Sequence, residues 1–147
     1  MKQQFLEYLN NAEFAKAETL LGKSIQPKIK DILLTYSCES ESIIGFGFAL
    51  YMFDKTNDYF WCDCIISLLL NPLCFIEGAY QLAYHYAKLM LSHNRSEENL
   101  VQILFFNEIP EKLLAKADAI KIAEEVISLN PNNETARNAL NKLKQST

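Results

Sequence analysis

Residues 129–140 read LNPNNETARNAL, and the fold turns on how this stretch is understood. The residue before a proline avoids the helical region, so Asn130-Pro131 stops whatever helix precedes it. Ala136, Ala139, Leu140 and Leu143 then return at helical spacing on one face. The stretch is therefore the seam between two helices, roughly 117–129 and 133–144. Working outward, residues 83–100 align with residues 119–136 at an offset of 36. Ala83, Ala87, Ser92, Asn94 and Glu98 match Ala119, Ala123, Ser128, Asn130 and Glu134. Five identities in eighteen positions exceed the roughly one expected from ordinary composition. A spacing near 34–36 residues is that of stacked helix–turn–helix units.

The stretch DAIKIAEEVISLNPNNETARNAL, residues 118–140, resembles the tetratricopeptide repeat family: a second repeat helix, its proline turn and the start of the next repeat. Ala119 stands twelve before Pro131, where that family favours alanine. Val126 replaces the usual alanine five before the proline, Ala123 replaces a usual aromatic, and no tryptophan–leucine–glycine–tyrosine pattern lies upstream. NAEFAKAETLLGKSI, residues 11–25, is a further, looser match. The likeness is carried by residues 117–140 and extends over 74–144. It implies an all-α chain of antiparallel hairpins stacked as a repeat-like α-α superhelix that binds other proteins.

Composition agrees with the helical class. The chain has 147 residues, 50% hydrophobic and 22% charged, with four Gly and four Pro; that length fits a single domain, 1–147, and so few turn formers do not suit an all-β chain. Nine helical segments are expected. Phe5, Leu6 and Leu9 mark the first, and Phe14, Ala17, Leu20 and Leu21 the second, closed by Gly22. Ile29, Ile32, Leu33 and Tyr36 mark the third, after Pro27. SCESES, residues 37–42, reads as a loop before the strongly apolar IIGFGFALYMFD. Asn57 or Asp58 caps YFWCDCIISLLL, which Asn71-Pro72 ends. A long helix is expected over about 73–92, with Gly78 admitting a close neighbour, and Ser96 begins the next.

The longest apolar runs are too short or too interrupted to cross a bilayer, and the polar N-terminal residues have no signal-like apolar region. A cytoplasmic protein without membrane insertion is expected.

Catalytic patterns are hard to assemble. The glycines are scattered rather than gathered into a phosphate loop, and no metalloprotease or nucleophile-elbow pattern occurs. Cys38, Cys62, Cys64 and Cys74 read as reduced thiols and as small core residues rather than metal ligands, since Cys62 and Cys64 at i and i+2 do not share a helix face. His85, with Cys62 or Cys64 as nucleophile or metal ligand, is the one sharp alternative, and a half-buried helix residue bonded to a neighbour is expected instead; His93 reads as solvated. Neither a cofactor nor a metal is expected, and no enzymatic activity.

Charge is the useful asymmetry. Ile32–Ala87 holds Lys55 as its one basic residue against Glu39, Glu41, Asp54, Asp58, Asp63 and Glu77, a net of −5. Nucleic-acid binding would require clustered Lys and Arg, and the chain has two Arg. An acidic surface instead suits a basic protein partner, with complementary charge speeding the encounter. The expected interface comprises Glu39, Glu41, Asp54 and Asp58, with Tyr59 or Trp61, beside the polar DKTND turn, as an exposed anchor. In size and charge the chain resembles small bacterial immunity proteins, which block a cognate toxin, often a nuclease with a basic cleft. A repeat-type peptide-binding scaffold is the alternative.

Overall fold

The computed structural model describes residues 1–22 and 25–145. Among them are nine α-helices, one short 3-10 turn at Gln26–Lys28, and no strand. The all-α expectation holds. The packing falls into two compact units, Met1–Ala83 and the residues from Tyr84 onward.

The first unit holds α1 (Lys2–Asn10), α2 (Phe14–Thr19), α3 (Ile29–Ser40), α4 (Ile44–Thr56) and α5 (Tyr59–Leu70), and the start of α6 (Ala79–His93). Its core is built round Phe48 of α4. Phe5 of α1, Phe14 of α2 and Trp61 of α5 each approach that ring, at centroid separations of 5.5, 5.6 and 5.8 Å. Edge-on and tilted pairs of this kind place a positive ring edge on a negative face. Burying each large side chain contributes roughly 2–3 kcal/mol. The apolar α4 is central as expected, and its GFG motif has a packing cause. A Cβ at Gly45 would lie 2.6 Å from Ser37 Oγ, so glycine lets α3 and α4 approach closely.

Short connections set helix directions. Three residues separate α3 from α4, and two separate α4 from α5, so each neighbouring pair runs antiparallel. Asp58 is the N-cap of α5, its carboxylate accepting from the Phe60 N–H at 3.0 Å. Across the unit, Lys30 Nζ donates to Asp63 at 2.6 Å, pinning the first turn of α3 beside the first half of α5.

The second unit holds most of α6, α7 (Glu97–Glu108), α8 (Lys116–Leu129) and α9 (Glu134–Gln145). The 129–140 seam behaves as a stop and restart. Asn133 caps α9 by accepting from the Ala136 N–H at 2.9 Å, and Asn130 accepts from the Asn132 N–H at 3.1 Å. Both amides also donate to Glu97 Oε1, at 2.8 Å from Asn130 and 2.7 Å from Asn133, fastening the α8–α9 turn to the start of α7. Those two bonds hold the Glu97 carboxyl below its usual range, Asn133 contributing more. The aligned residues are also equivalent in local structure. Ser92 and Ser128 each donate to the carbonyl three residues back, at 2.8 and 2.7 Å, and the four matched alanines are buried.

Three expectations about elements need correction. Residues 71–78 form successive turns, so the helix expected from 73 begins at Ala79. Gly78 has nothing within 4 Å of a built Cβ; its requirement is a φ of +88°, which glycine adopts without strain. The SCESES run is mostly helix, since α3 continues through Ser40 and ends on Glu41, whose φ is 52°.

Candidate functional site

The four acidic residues expected at an interface lie in two places. Glu39 is in the last turn of α3 and Glu41 is its left-handed C-cap, both beside the N-terminus of α4. Asp54 is in the last turn of α4, and Asp58 follows it. All four are exposed. Ten residues of α4, 44–53, stand between the two pairs, a separation of about 15 Å along the helix at 1.5 Å per residue. The four carboxylates therefore do not form one continuous patch.

The aromatic anchors also part company. Trp61 is 2% exposed, locked edge-on against Phe48 and Phe60, so the expectation of an exposed tryptophan is overturned. Its place follows from the cap. With α5 starting at Tyr59, residue 61 lies about 200° further round the helix, on the inward side. Tyr59 is half-buried, its ring 5.2 Å from Phe53.

The acidity at the Asp54 end is partly matched. Glu18 accepts from Lys55 Nζ at 2.7 Å and from the Tyr51 hydroxyl at 3.0 Å, and these partners hold its carboxyl below its usual range, Lys55 foremost. Asp63 is paired with Lys30.

The Glu39 end is different. Because α3 and α5 run parallel and Lys30 is paired with Asp63, seven residues of α5 and ten of α3 follow the pair, so α5 ends about one turn short of the end of α3. The turns of 71–78 therefore leave α5 at the end of the α3–α4–α5 layer where α3 ends and α4 begins. They carry Phe75, 67% exposed, and Glu77; the loop carries Ile43, 55% exposed. Leu82, 45% exposed, follows in the first turn of α6. Lys55, the one basic residue of Ile32–Ala87, is at the far end of α4. This end thus combines large apolar side chains with Glu39, Glu41 and Glu77. Sequence periodicity does not reveal it, because the 71–78 turns keep helical apolar spacing while leaving Phe75 exposed.

The sulfur and imidazole groups have other surroundings. Cys62 and Cys64 are buried thiols, pushed up to about 12 by burial first and by the Asp63 charge second, so little thiolate forms near neutral pH. Cys38 and Cys74 are exposed, so the expectation of four core thiols holds for Cys62 and Cys64 and is corrected for these two. His85 is exposed on α6 rather than half-buried as expected, its ring 5.1 Å from Tyr86, and His93 is exposed at the end of that helix. Among the described residues, no group of three His, Cys, Asp or Glu side chains is placed to hold a metal ion. Nor, among them, is any helix long and apolar enough to cross a membrane. No known protein family, curated protein or solved structure matches the chain.

Proposed function

We propose that this chain is a non-catalytic protein that binds another protein through the Phe75 end of its first unit. The observation that carries the reading is Phe75 itself. A chain that buries Phe5, Phe48 and Phe106 completely leaves this phenylalanine 67% exposed, with Ile43 at the same end. Large apolar groups surrounded by charge are how binding energy is concentrated at interfaces. Glu39, Glu41 and Glu77 select a partner with basic residues round an apolar socket. The most concrete form of this reading is an immunity-type inhibitor covering the basic working surface of a toxin. Asp54, Asp58 and Tyr59, at the other end of α4, then lie outside the contact.

The test is affinity capture from the native cells, with the partner identified and then titrated against variants. Glu39→Lys with Glu41→Lys is expected to weaken binding more than tenfold, about 1.4 kcal/mol, and Phe75→Ser by a similar factor. Asp54→Lys is expected to leave affinity unchanged, and none of these exposed substitutions should move the melting temperature appreciably. A partner that binds all of them equally well would remove this surface from the account.

A further inference from the structure

The second unit has a feature of opposite character. A cleft of about 610 Å³ opens among α7, α8, α9 and the 109–115 connection. Leu104, Leu114, Ala119 and Ala139 form an apolar floor, the two alanines leaving space where larger side chains would fill it. Lys112, Lys116 and Lys142 line it as exposed residues, against the single carboxylate of Glu108. Lys112 Nζ donates to the Asn107 carbonyl at 2.7 Å, which steadies the ammonium at the cleft and leaves it further N–H groups. The size suits a small apolar group, and the charge suits carboxylates around it.

The chain itself carries a match. Phe75 is exposed within the 71–78 turns, with Glu77 two residues on and Glu39 and Glu41 at the same end of the first unit. We propose that the Phe75 end of one copy seats in the lysine-lined cleft of a second copy, the ring on the alanine and leucine floor and the glutamates facing the lysines. Each copy carries both halves, and the contact joins two different surfaces rather than one surface to itself. It uses the same end of the first unit as the partner-binding reading but requires no second protein species. One ring and a few screened charges make a small interface, so the expected dissociation constant is on the order of 100 µM.

Sedimentation of the intact chain tests this, in reducing buffer because Cys38 and Cys74 are exposed. The average mass is expected to rise between about 10 µM and 1 mM at low salt, and to fall back as salt screens the charges. Phe75→Ser alone, and Lys116→Glu with Lys142→Glu alone, are each expected to remain monomeric with unchanged helicity. Mixed together, they retain one intact Phe75 end and one intact cleft. The mixture should therefore form a 1:1 pair that grows no further. A wild-type chain monomeric throughout, association indifferent to salt or to both variants, or a mixture that fails to pair would each overturn the proposal. Those results leave capture of a different protein by the Phe75 end untouched, because that is read at concentrations where the chain is monomeric.

Discussion

Ser37 is fully buried on α3, and its hydroxyl has no hydrogen-bond partner among the described residues. It lies where Gly45 has removed a Cβ, so one contact combines an unsatisfied polar atom with a notch cut to receive it. The two sides of that contact should respond oppositely. Ser37→Ala removes a desolvated hydroxyl and improves helix propensity, so it is expected to stabilise the protein by about 1 kcal/mol, a rise of a few degrees in melting temperature. Gly45→Val forces two further methyl groups against α3 and is expected to cost about 2 kcal/mol. Denaturant titration of both variants is the check; a destabilising Ser37→Ala would mean that the hydroxyl has a partner, such as a bound water. Trp61 carries a related lesson about single residues. Proximity in sequence to a polar turn placed it outside, whereas the helix phase set by Asp58 places it inside.

Helix boundaries were legible where a side chain enforces them. Asp58 and Ser96 cap α5 and α7, Asn71-Pro72 ends α5, and Asn130 to Asn133 mark the seam before α9. The 71–78 segment was not legible, for a geometric reason. Ile76 N–H bonds Leu73 O and Ala79 N–H bonds Ile76 O, each at 3.0 Å, so consecutive turns repeat every three residues and reproduce helical apolar spacing. The α8–α9 seam offers a sharp test at this scale. Asp caps a helix as well as Asn does, so Asn133→Asp keeps the cap but sets a second carboxylate against Glu97, now 2.7 Å from the Asn133 amide. In the native protein Glu97 is held low, so its contribution is present above its unfolded value and is lost as pH falls through the folded one. In the variant the two acids raise each other, and the sign reverses: the penalty is absent in acid and appears as pH rises through the raised values. Asn133→Asp should be clearly less stable than the native protein at about pH 7 and approach it at about pH 4. A stability difference independent of pH would rule out direct contact between the two groups.

At the scale of the whole molecule, helical class and helix number were open to sequence reasoning because period and composition both report them. Which faces turn outward was not, since the same apolar spacing serves a core and an interface; only packing placed Phe75 outside and Trp61 within. The charge asymmetry was visible, yet its division between the two ends of α4 depends on helix direction rather than on composition. The two units also differ in what fills them. Of the twelve largest fully buried side chains, Phe106 and Leu100 belong to the second unit, and the rest, including Trp61, Phe5 and Phe48, to the first. Beside Ile103, Leu104, Ile109 and Leu114, the second unit buries Ala119, Ala123, Val126, Ala136 and Ala139, which remove less apolar area from water per residue. Stability should follow that difference. Trp61 is the single tryptophan and reports the first unit alone, while far-ultraviolet circular dichroism reports helices of both. In a urea titration, part of the helical signal is expected to disappear before Trp61 emission shifts, giving transitions that do not coincide. Coincident transitions would show that the aromatic core and the alanine-rich helices unfold as one cooperative body, and that large-side-chain burial alone does not rank the stability of these units.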